Sequence, residues 1–297
     1  MQQPRQWKGK TGGGTFGQKS LLFIFRIIHV AFFYPVLFVV IPFYMLFGRR
    51  GYLAIMRYFK QIRGLSTWKA FWQICRNHLV FGQVVLDRFA LLAKKKEFFK
   101  INITGESYFD RLIKQEKGFI IASSHIGNFE LAGLIFRQSK KKIFSLVYDG
   151  ENPELQRNRE KAMQESNVTM ISVKEDMSHL FIIKQTLDDG NVLVIPCDRM
   201  FGNMRKIKIN FLGHDAYFPL APFRMAVQLD MLMVSLFVMK DNYKTYHVHI
   251  LPMETHENKD NPVKRASQLA NAFARNCEEI LEKYPRQWFN FYNFWEM

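Results

Sequence analysis

Apolar residues dominate the chain from Leu21 to Phe47, and no charged residue occurs between Val30 and Phe47. An uncharged apolar stretch of this length is about what a membrane-spanning helix requires. Pro35 and Pro42 lie inside it and disfavour one straight helix, because proline removes a helical hydrogen bond. The pattern leaves three interpretations open: a membrane span or signal anchor, an amphipathic or re-entrant interfacial segment, and a buried pair of helices.

The rest of the chain changes its periodicity near residue 97. From 52 to 97, apolar residues recur at helical spacing between Lys and Arg, which predicts one or two basic amphipathic helices. Beyond them, short apolar runs alternate with helical patterns. Strands are predicted at 98–104, 118–124, 143–149, 168–173, 191–197, 231–239 and 245–253. Helices are predicted at 107–115, 130–138, 153–165, 178–190, 221–230 and 263–284.

Such regular alternation of strand and helix predicts an α/β fold with a mixed, mostly parallel central sheet flanked by helices, and with membrane-associated helices at the N-terminus. Three regions follow from the pattern. Residues 1–20 form a polar, Gly-rich N-terminus, residues 21–97 a membrane anchor with basic amphipathic helices, and residues 98–297 the α/β domain.

Composition indicates which class of partner the chain binds, and says less about which reaction it catalyses. The formal net charge is +16, which predicts an anionic partner such as a lipid surface, a phosphorylated substrate or an acidic protein. Nucleic acid is disfavoured, because no helix-turn-helix, RNA-binding or zinc signature occurs. The 29 Phe and 5 Trp favour contact with a lipid interface. The 3 Cys residues form no CxxC pair, so neither a disulfide framework nor a zinc site is expected.

One segment, SSHIGNFELAG, carries candidate chemistry. His125 and Glu130 stand five positions apart in it, but His249 and Glu254 share this spacing, so the spacing alone decides nothing. His249 falls in a predicted strand, where residues five apart point to opposite faces. Around His125 the predicted strand ends and Gly127 permits a bend, which brings the histidine and the glutamate together across the crevice at the strand end.

A histidine and a carboxylate that face each other suit general-base catalysis. Glu130 would accept the Nδ1 proton of His125, and Nε2 would take a proton from a hydroxyl or an amine. Asn128 would cap the helix that carries Glu130. Ser123 and Ser124 lack the G-x-S-x-G context of a nucleophile and are interpreted as structural.

Four motifs in order resemble a known family. The segment His125-Ile-Gly-Asn-Phe-Glu130 is similar to the H-x4-D/E motif of the lysophospholipid acyltransferase superfamily, and within it to the lipid A biosynthesis branch of lauroyl and myristoyl transferases. Cys197-Asp198-Arg199, Phe211-Leu212-Gly213 with Pro219, and Pro285-Arg286-Gln287-Trp288 resemble later motifs of that branch. The likeness spans roughly residues 100 to 292.

The resemblance implies transfer of a fatty acyl chain from an acyl carrier protein or coenzyme A thioester to a lipid acceptor, without a metal, a cofactor or a covalent intermediate. It implies a location at the bacterial inner membrane, with the catalytic domain on the cytoplasmic face. An arginine that holds charge on the substrates is expected, with Arg159 as first choice and Arg157 as second. Asn128, Asp198 and Arg199 are expected to bind substrate.

The chain departs from this branch at its C-terminus, where Arg286 replaces an acidic residue and Tyr292 a histidine. Its Gly-rich N-terminus is more like that of divergent members found beside polyene or flexirubin pigment genes. A glycerolipid or pigment acyltransferase is therefore an alternative to a lipid A enzyme. A membrane-binding protein without catalytic activity is the alternative from another class. The sequence leaves the oligomeric state open.

Overall fold

The structure, a computed structural model, describes residues 20, 23–93, 98–134, 141–148, 168–174, 176–200, 204–254 and 261–296. The helix predicted at 153–165 lies outside these ranges, as do almost all of residues 1–20. Within the described ranges, nine strands have the following bounds: β1 Lys100–Thr104, β2 Phe119–Ser123, β3 Ile143–Tyr148, β4 Val168–Val173, β5 Val192–Pro196, β6 Lys206–Phe211, β7 His214–Pro219, β8 Met233–Lys240 and β9 Thr245–Pro252.

The α-helices with both ends in the same ranges are α1 Leu37–Phe47, α2 Arg49–Arg57, α3 Thr67–Leu92, α4 Glu106–Lys114, α5 His179–Asp188, α6 Ala221–Gln228 and α7 Pro262–Lys283. Two 3-10 helices span Val30–Phe33 and Phe129–Leu134, and a π-helix spans Tyr58–Ile62. A third 3-10 helix, Phe294–Glu296, ends the described chain. The amphipathic region predicted from residue 52 onward is thus helical, as expected.

Seven strands form one sheet in the order β1-β9-β8-β2-β5-β3-β4. All neighbouring pairs are parallel except β8 and β9, so the predicted mixed, mostly parallel sheet is confirmed. The strands β6 and β7, which the sequence pattern did not predict, form a separate antiparallel hairpin.

The centre of the sheet is buried on both faces. Along β2, Ile120 and Ala122 belong to one hydrophobic cluster, and Phe119 and Ile121 to the other. Alternating residues of one strand therefore support two cores, which explains why β2 reads as a continuous apolar run. Helix α7 covers the first face, and α4 packs on the second.

The N-terminal apolar stretch is broken into short elements. A turn that contains Pro35 separates the 3-10 helix Val30–Phe33 from α1, whereas Pro42 lies within α1. No single helix in the described ranges has the length and apolarity to cross a membrane. Helix α1 and the segment Arg49–Ile62 reach that length only as a pair, bent by 93°. The predicted association of these helices with a membrane stays a prediction.

Candidate active site

The carboxyl ends of β2 and β5 bring two functional side chains together. These strands are parallel neighbours, and Ser123 is paired with Pro196 at their ends. His125 and Asp198 each follow two residues later, and the hydrogen bond from Cys197 N to Ser123 O (2.9 Å) continues the pairing between them. Ligands of open α/β sheets bind at this edge. The topology therefore places an imidazole and a carboxylate side by side, although 73 positions separate them in sequence.

Asp198 holds His125 through both carboxylate oxygens. Its Oδ1 lies 2.9 Å from His125 Nδ1, and its Oδ2 accepts a hydrogen bond from the backbone N–H of His125 at 2.8 Å. Asp198 is only 5 % exposed, whereas the His125 side chain keeps 35 % of its surface accessible. With Nδ1–H donating to the carboxylate, the Nε2 lone pair is left for proton transfer.

Electrostatics favour the ionised form of this carboxylate. Burial alone raises the pKa of Asp198, but the attraction and hydrogen bonds of His125, together with the nearby charge of Arg199, outweigh burial and hold the pKa below its usual range. An ionised carboxylate at Nδ1 stabilises the imidazolium that forms when Nε2 accepts a proton.

The backbone from His125 to Asn128, here called the His125 turn, requires glycine at its centre. Gly127 has φ +74°, and a Cβ at this position would lie 2.2 Å from the carbonyl oxygen of Val238. The predicted bend at Gly127 is thus confirmed, and its cause is both the left-handed backbone and the close approach of β8.

All four amides of the His125 turn have internal partners. His125 N donates to Asp198, and Ile126 N donates to Ser124 Oγ at 3.3 Å. Gly127 N donates to Gln287 O and Asn128 N to Val238 O, both at 2.7 Å. These amides are therefore not free to stabilise an oxyanion. The hydrogen bond to Ser124 agrees with its predicted structural role.

A segment near the C-terminus, residues 285–295, clamps the His125 turn from one side. Phe289 N donates to His125 O at 3.0 Å, and Ile126 forms an antiparallel bridge with Trp288. Asn77 of α3 holds the segment in place through its Nδ2, which donates to the carbonyl oxygens of Arg286 (2.8 Å) and Trp288 (3.1 Å). The sequence pattern did not predict this clamp, because an irregular segment carries no periodic signal.

Two residues of the site rest on the same segment. The hydroxyl of Tyr292 donates to the backbone carbonyl of Asp198 at 3.1 Å. The guanidinium carbon of Arg199 lies 5.5 Å from the centre of the Tyr292 ring, and Nη2 donates to Phe289 O at 3.5 Å. The Nε of Arg199 is buried without a partner among the described residues. Arg199 thus stands beside the couple of His125 and Asp198, and its predicted contact with substrate stays a prediction.

The predicted carboxylate partner of His125 needs correction. We predicted that Glu130 accepts the Nδ1 proton, and the structure gives that hydrogen bond to Asp198. Glu130 lies in the 3-10 helix Phe129–Leu134, which takes up the described part of the helix predicted at 130–138, and its side chain is outside the described part. Arg157 and Arg159 also lie outside the described residues, so their predicted roles stay predictions.

Asn128 points into the protein. It is 2 % exposed, and its Nδ2 donates to the hydroxyl of Tyr246 at 3.4 Å. Its predicted contact with substrate stays a prediction.

Other candidates do not compete with this couple. Cys197 and Cys277 are buried, and burial raises the pKa of each thiol well above its usual value, so neither is an activated nucleophile. No group of three or more His, Cys, Asp or Glu within the described ranges is arranged to hold a metal ion. A cavity of about 290 Å³ lies at the amino ends of β2 and β8, beside Gly118 and Met233, and is therefore separate from His125 at the carboxyl ends.

One comparison, with models of protein families, agrees with the resemblance seen in the motifs. The family model described as bacterial lipid A biosynthesis acyltransferase matches residues 74–297. No curated protein sequence matches the chain. Among solved structures, the chain is similar to the 1-acyl-sn-glycerophosphate acyltransferase from Thermotoga maritima, with 12 % identity and a TM-score of 0.37. That match covers 88 % of this chain and 98 % of the other.

Proposed function

This chain belongs to the bacterial lipid A biosynthesis acyltransferase family and is an acyltransferase, and from this premise we propose that it moves a fatty acyl chain from a thioester donor to a hydroxyl or amine of a lipid acceptor, with His125 as general base. The observation that carries the proposal is the bidentate hold of Asp198 on His125 at the carboxyl edge of the sheet. The hold fixes one tautomer and leaves Nε2 on an accessible ring.

The proposed reaction has no covalent intermediate. Nε2 removes the proton of the acceptor hydroxyl as its oxygen attacks the thioester carbonyl, and Asp198 stabilises the resulting imidazolium. The tetrahedral intermediate then collapses and the carbon–sulfur bond breaks. The proton on Nε2 passes to the departing thiolate, so the histidine returns to its starting state and the products are an ester and a thiol.

Negative charge on the intermediate calls for a cation, because the amides of the His125 turn already have partners. We propose that Arg199 contributes here, since it lies next to Asp198 and has a buried Nε without a partner among the described residues. Arg159 and, as second choice, Arg157 are proposed to hold charge on the substrates. Glu130 is proposed to take part in catalysis, in addition to the role that Asp198 performs at Nδ1.

We propose that the chain works at the cytoplasmic face of a bacterial inner membrane. Apolar side chains of the N-terminal region are exposed, among them Phe38 (68 %), Leu46 (76 %) and Phe47 (86 %). Burying such side chains in a lipid interface is favourable by roughly 1.5–3 kcal/mol each. The net charge of +16 favours anionic lipid and an acidic donor such as acyl carrier protein, with coenzyme A thioester as the alternative.

The acceptor is proposed to be of lipid A type or a related lipid. A second candidate, a glycerolipid or a pigment of polyene or flexirubin type, is favoured by one feature of the site. Tyr292, which departs from the lipid A branch, contacts both Asp198 and Arg199 and therefore changes the wall beside the couple.

Acyl transfer by the purified full chain tests the proposal. The chain is given acyl carrier protein thioester or coenzyme A thioester with a lipid A precursor, a lysophospholipid or a hydroxylated pigment, and products are identified by mass spectrometry. We expect an acylated product with at least one acceptor and none with His125→Ala. Equal product from His125→Ala would overturn the assignment of the base, and hydrolysis without transfer to any acceptor would overturn the assignment as a transferase acting on these lipids.

A further inference from the structure

A buried polar cluster lies behind the His125 turn, outside the couple of His125 and Asp198. Its centre is Asp87 of α3, whose side chain is fully buried. Lys240 at the end of β8, Tyr246 of β9 and Tyr34 of the N-terminal apolar region surround this carboxylate. We call these four residues the Asp87 cluster. They come from three distant parts of the chain, with Lys240 and Tyr246 paired across β8 and β9, so the cluster exists only in the folded protein.

Each partner in the Asp87 cluster donates to the carboxylate. Tyr34 Oη donates to Oδ1 at 2.5 Å, Lys240 Nζ donates to Oδ2 at 2.5 Å, and the hydroxyl of Tyr246 also donates to Oδ2. Burial raises the pKa of Asp87 and lowers that of Lys240, and the attraction between the two opposes both shifts. A buried ion pair of this kind contributes little net stability, because desolvation offsets the Coulomb attraction. Its position therefore calls for another explanation.

Two routes connect the Asp87 cluster with the His125 turn. In the first, the amide Nδ2 of Asn128 donates to the Tyr246 hydroxyl at 3.4 Å, and that hydroxyl donates onward to Asp87. Hydrogen bonds that run in one direction towards a charge polarise and strengthen one another. The carboxylate thus holds the side chain of Asn128 through Tyr246.

The second route runs through the backbone of Lys240. Gln287 Nε2 donates to Lys240 O at 2.7 Å, and Lys240 N donates to Gln287 Oε1 at 2.9 Å. The carbonyl oxygen of the same glutamine accepts the hydrogen bond from Gly127 N. The Asp87 cluster therefore fixes the two residues, Asn128 and Gly127, that follow His125 and Ile126.

We propose that Asp87, Tyr246 and Tyr34 are positioning residues for acyl transfer, which hold the His125 turn at its working distance from the acceptor. The position of this turn then depends on how the N-terminal apolar region packs against the rest of the protein. The inference rests on the proposed function. Tyr34 links the N-terminal region to the His125 turn, because it follows the 3-10 helix Val30–Phe33 directly and donates to the same carboxylate as Tyr246. Contact of the N-terminal region with a membrane and alignment of the catalytic histidine are then coupled by one carboxylate.

Removal of single hydroxyls tests the proposal more cleanly than removal of Asp87, which would leave the charge of Lys240 buried without a partner and threaten folding. Tyr246→Phe deletes the donor between Asn128 and Asp87. Tyr284→Phe is the matched control, because Tyr284 also donates to an aspartate, Asp241, at 2.8 Å but has no contact with the His125 turn among the described hydrogen bonds.

We expect Tyr246→Phe to lower kcat by about 10- to 100-fold at nearly unchanged KM for the donor, because a small displacement of the base slows proton transfer without removing binding contacts. Tyr284→Phe should keep kcat within about twofold. Thermal unfolding midpoints of both variants separate a loss of stability from a loss of alignment. A kcat of Tyr246→Phe equal to that of the control would overturn the proposal.

The role of Tyr34 has its own pair of variants. Tyr34→Phe should lower kcat in the same way as Tyr246→Phe, and the double variant should lower it by less than the product of the two single effects, since both act through Asp87. Tyr44→Phe is the control, because Tyr44 belongs to the same apolar region but is 53 % exposed. Full activity of Tyr34→Phe would overturn the coupling to the N-terminal region.

His125→Ala in the same assay separates this inference from the proposed function. An inactive His125→Ala with fully active tyrosine variants would overturn the positioning role alone. An active His125→Ala would overturn the proposed mechanism itself.

Discussion

Gly127 is the residue whose backbone decides where His125 lies. Any side chain at this position meets the carbonyl oxygen of Val238 at 2.2 Å, and φ is +74°. Gly213 has a similar φ of +80° with no atom within 4 Å of the added Cβ. The two glycines therefore separate the effect of the backbone conformation from the effect of the close contact.

We predict that Gly213→Ala lowers the free energy of unfolding by about 1–2 kcal/mol, the cost of a left-handed alanine. Gly127→Ala should lower it by about 3 kcal/mol or more, because β8 cannot move away without disturbing the sheet. Denaturant unfolding of both variants checks the difference. Equal losses would show that the contact with Val238 has no energetic weight.

The sequence singled out His125 and assigned its Nδ1 partner to the wrong carboxylate. Glu130 was chosen because it is close in sequence, whereas Asp198 reaches Nδ1 only through the pairing of β2 with β5. A signal was present: both His125 and Asp198 follow the apolar core of a predicted strand. Strand order, which one sequence does not reveal, was needed to use it.

Two pairs of histidine and glutamate share the same spacing, but the second pair begins in strand β9 and not at the end of a central strand. The second His-x4-acid pair begins at His249, whose ring stacks on His247 with 4.2 Å between ring centres. Strand β9 ends at Pro252, so Glu254 lies beyond it. The sequence pattern could separate the two pairs, because alternation in a strand depends only on neighbouring residues.

His249 gives β9 a pH-dependent stability. Burial, then the charges of His247 and Lys283, lower the pKa of His249 to about 4. The unfolded chain takes up this proton near pH 6.5, so it binds more protons than the folded chain between those values. Stability is therefore complete above about pH 6.5 and falls as pH decreases towards 4. We predict that His249→Gln reduces this fall, measured by urea unfolding at pH 7, 5.5 and 4.5, whereas His214→Gln at an exposed position retains it.

The predicted elements beyond residue 97 are confirmed largely within a few residues wherever the structure describes them, because their periodicity reflects burial on one or two faces. The hairpin of β6 and β7 was missed, since its apolar residues alternate with lysines over only a few positions. The clamp by residues 285–295 was also missed, because its irregular backbone bonds depend on Asn77 and Gln287 reaching distant partners.

For the protein as a whole, we predict that the N-terminal region carries the contact with lipid. Phe47 in α1 and Phe181 in α5 are both strongly exposed, at 86 % and 81 %. We predict that Phe47→Ser lowers the binding constant for vesicles that contain phosphatidylglycerol by about tenfold, measured by sedimentation. This factor corresponds to the free energy of burying one phenylalanine side chain in an interface. Phe181→Ser should bind as the unchanged chain does. Equal weakening by both variants would contradict a lipid contact restricted to the N-terminal region.

The edge of the sheet that carries His125 is connected to the N-terminal region through α3 and β8. Asp87 of α3 and Lys240 of β8 both contact Tyr34. The couple of His125 and Asp198 lies at this edge of the sheet. Glu130→Gln complements the test of this couple, since a loss of rate there would add a second carboxylate to the mechanism.

The most direct measurement is kcat for acyl transfer by Asp198→Asn, compared with the unchanged chain at equal folded fraction. We predict that kcat falls by about a thousandfold with little change in KM, because the ionised carboxylate that orients His125 and stabilises its imidazolium is lost. A kcat within about threefold of the unchanged chain, in a folded protein, would contradict the central role of this couple.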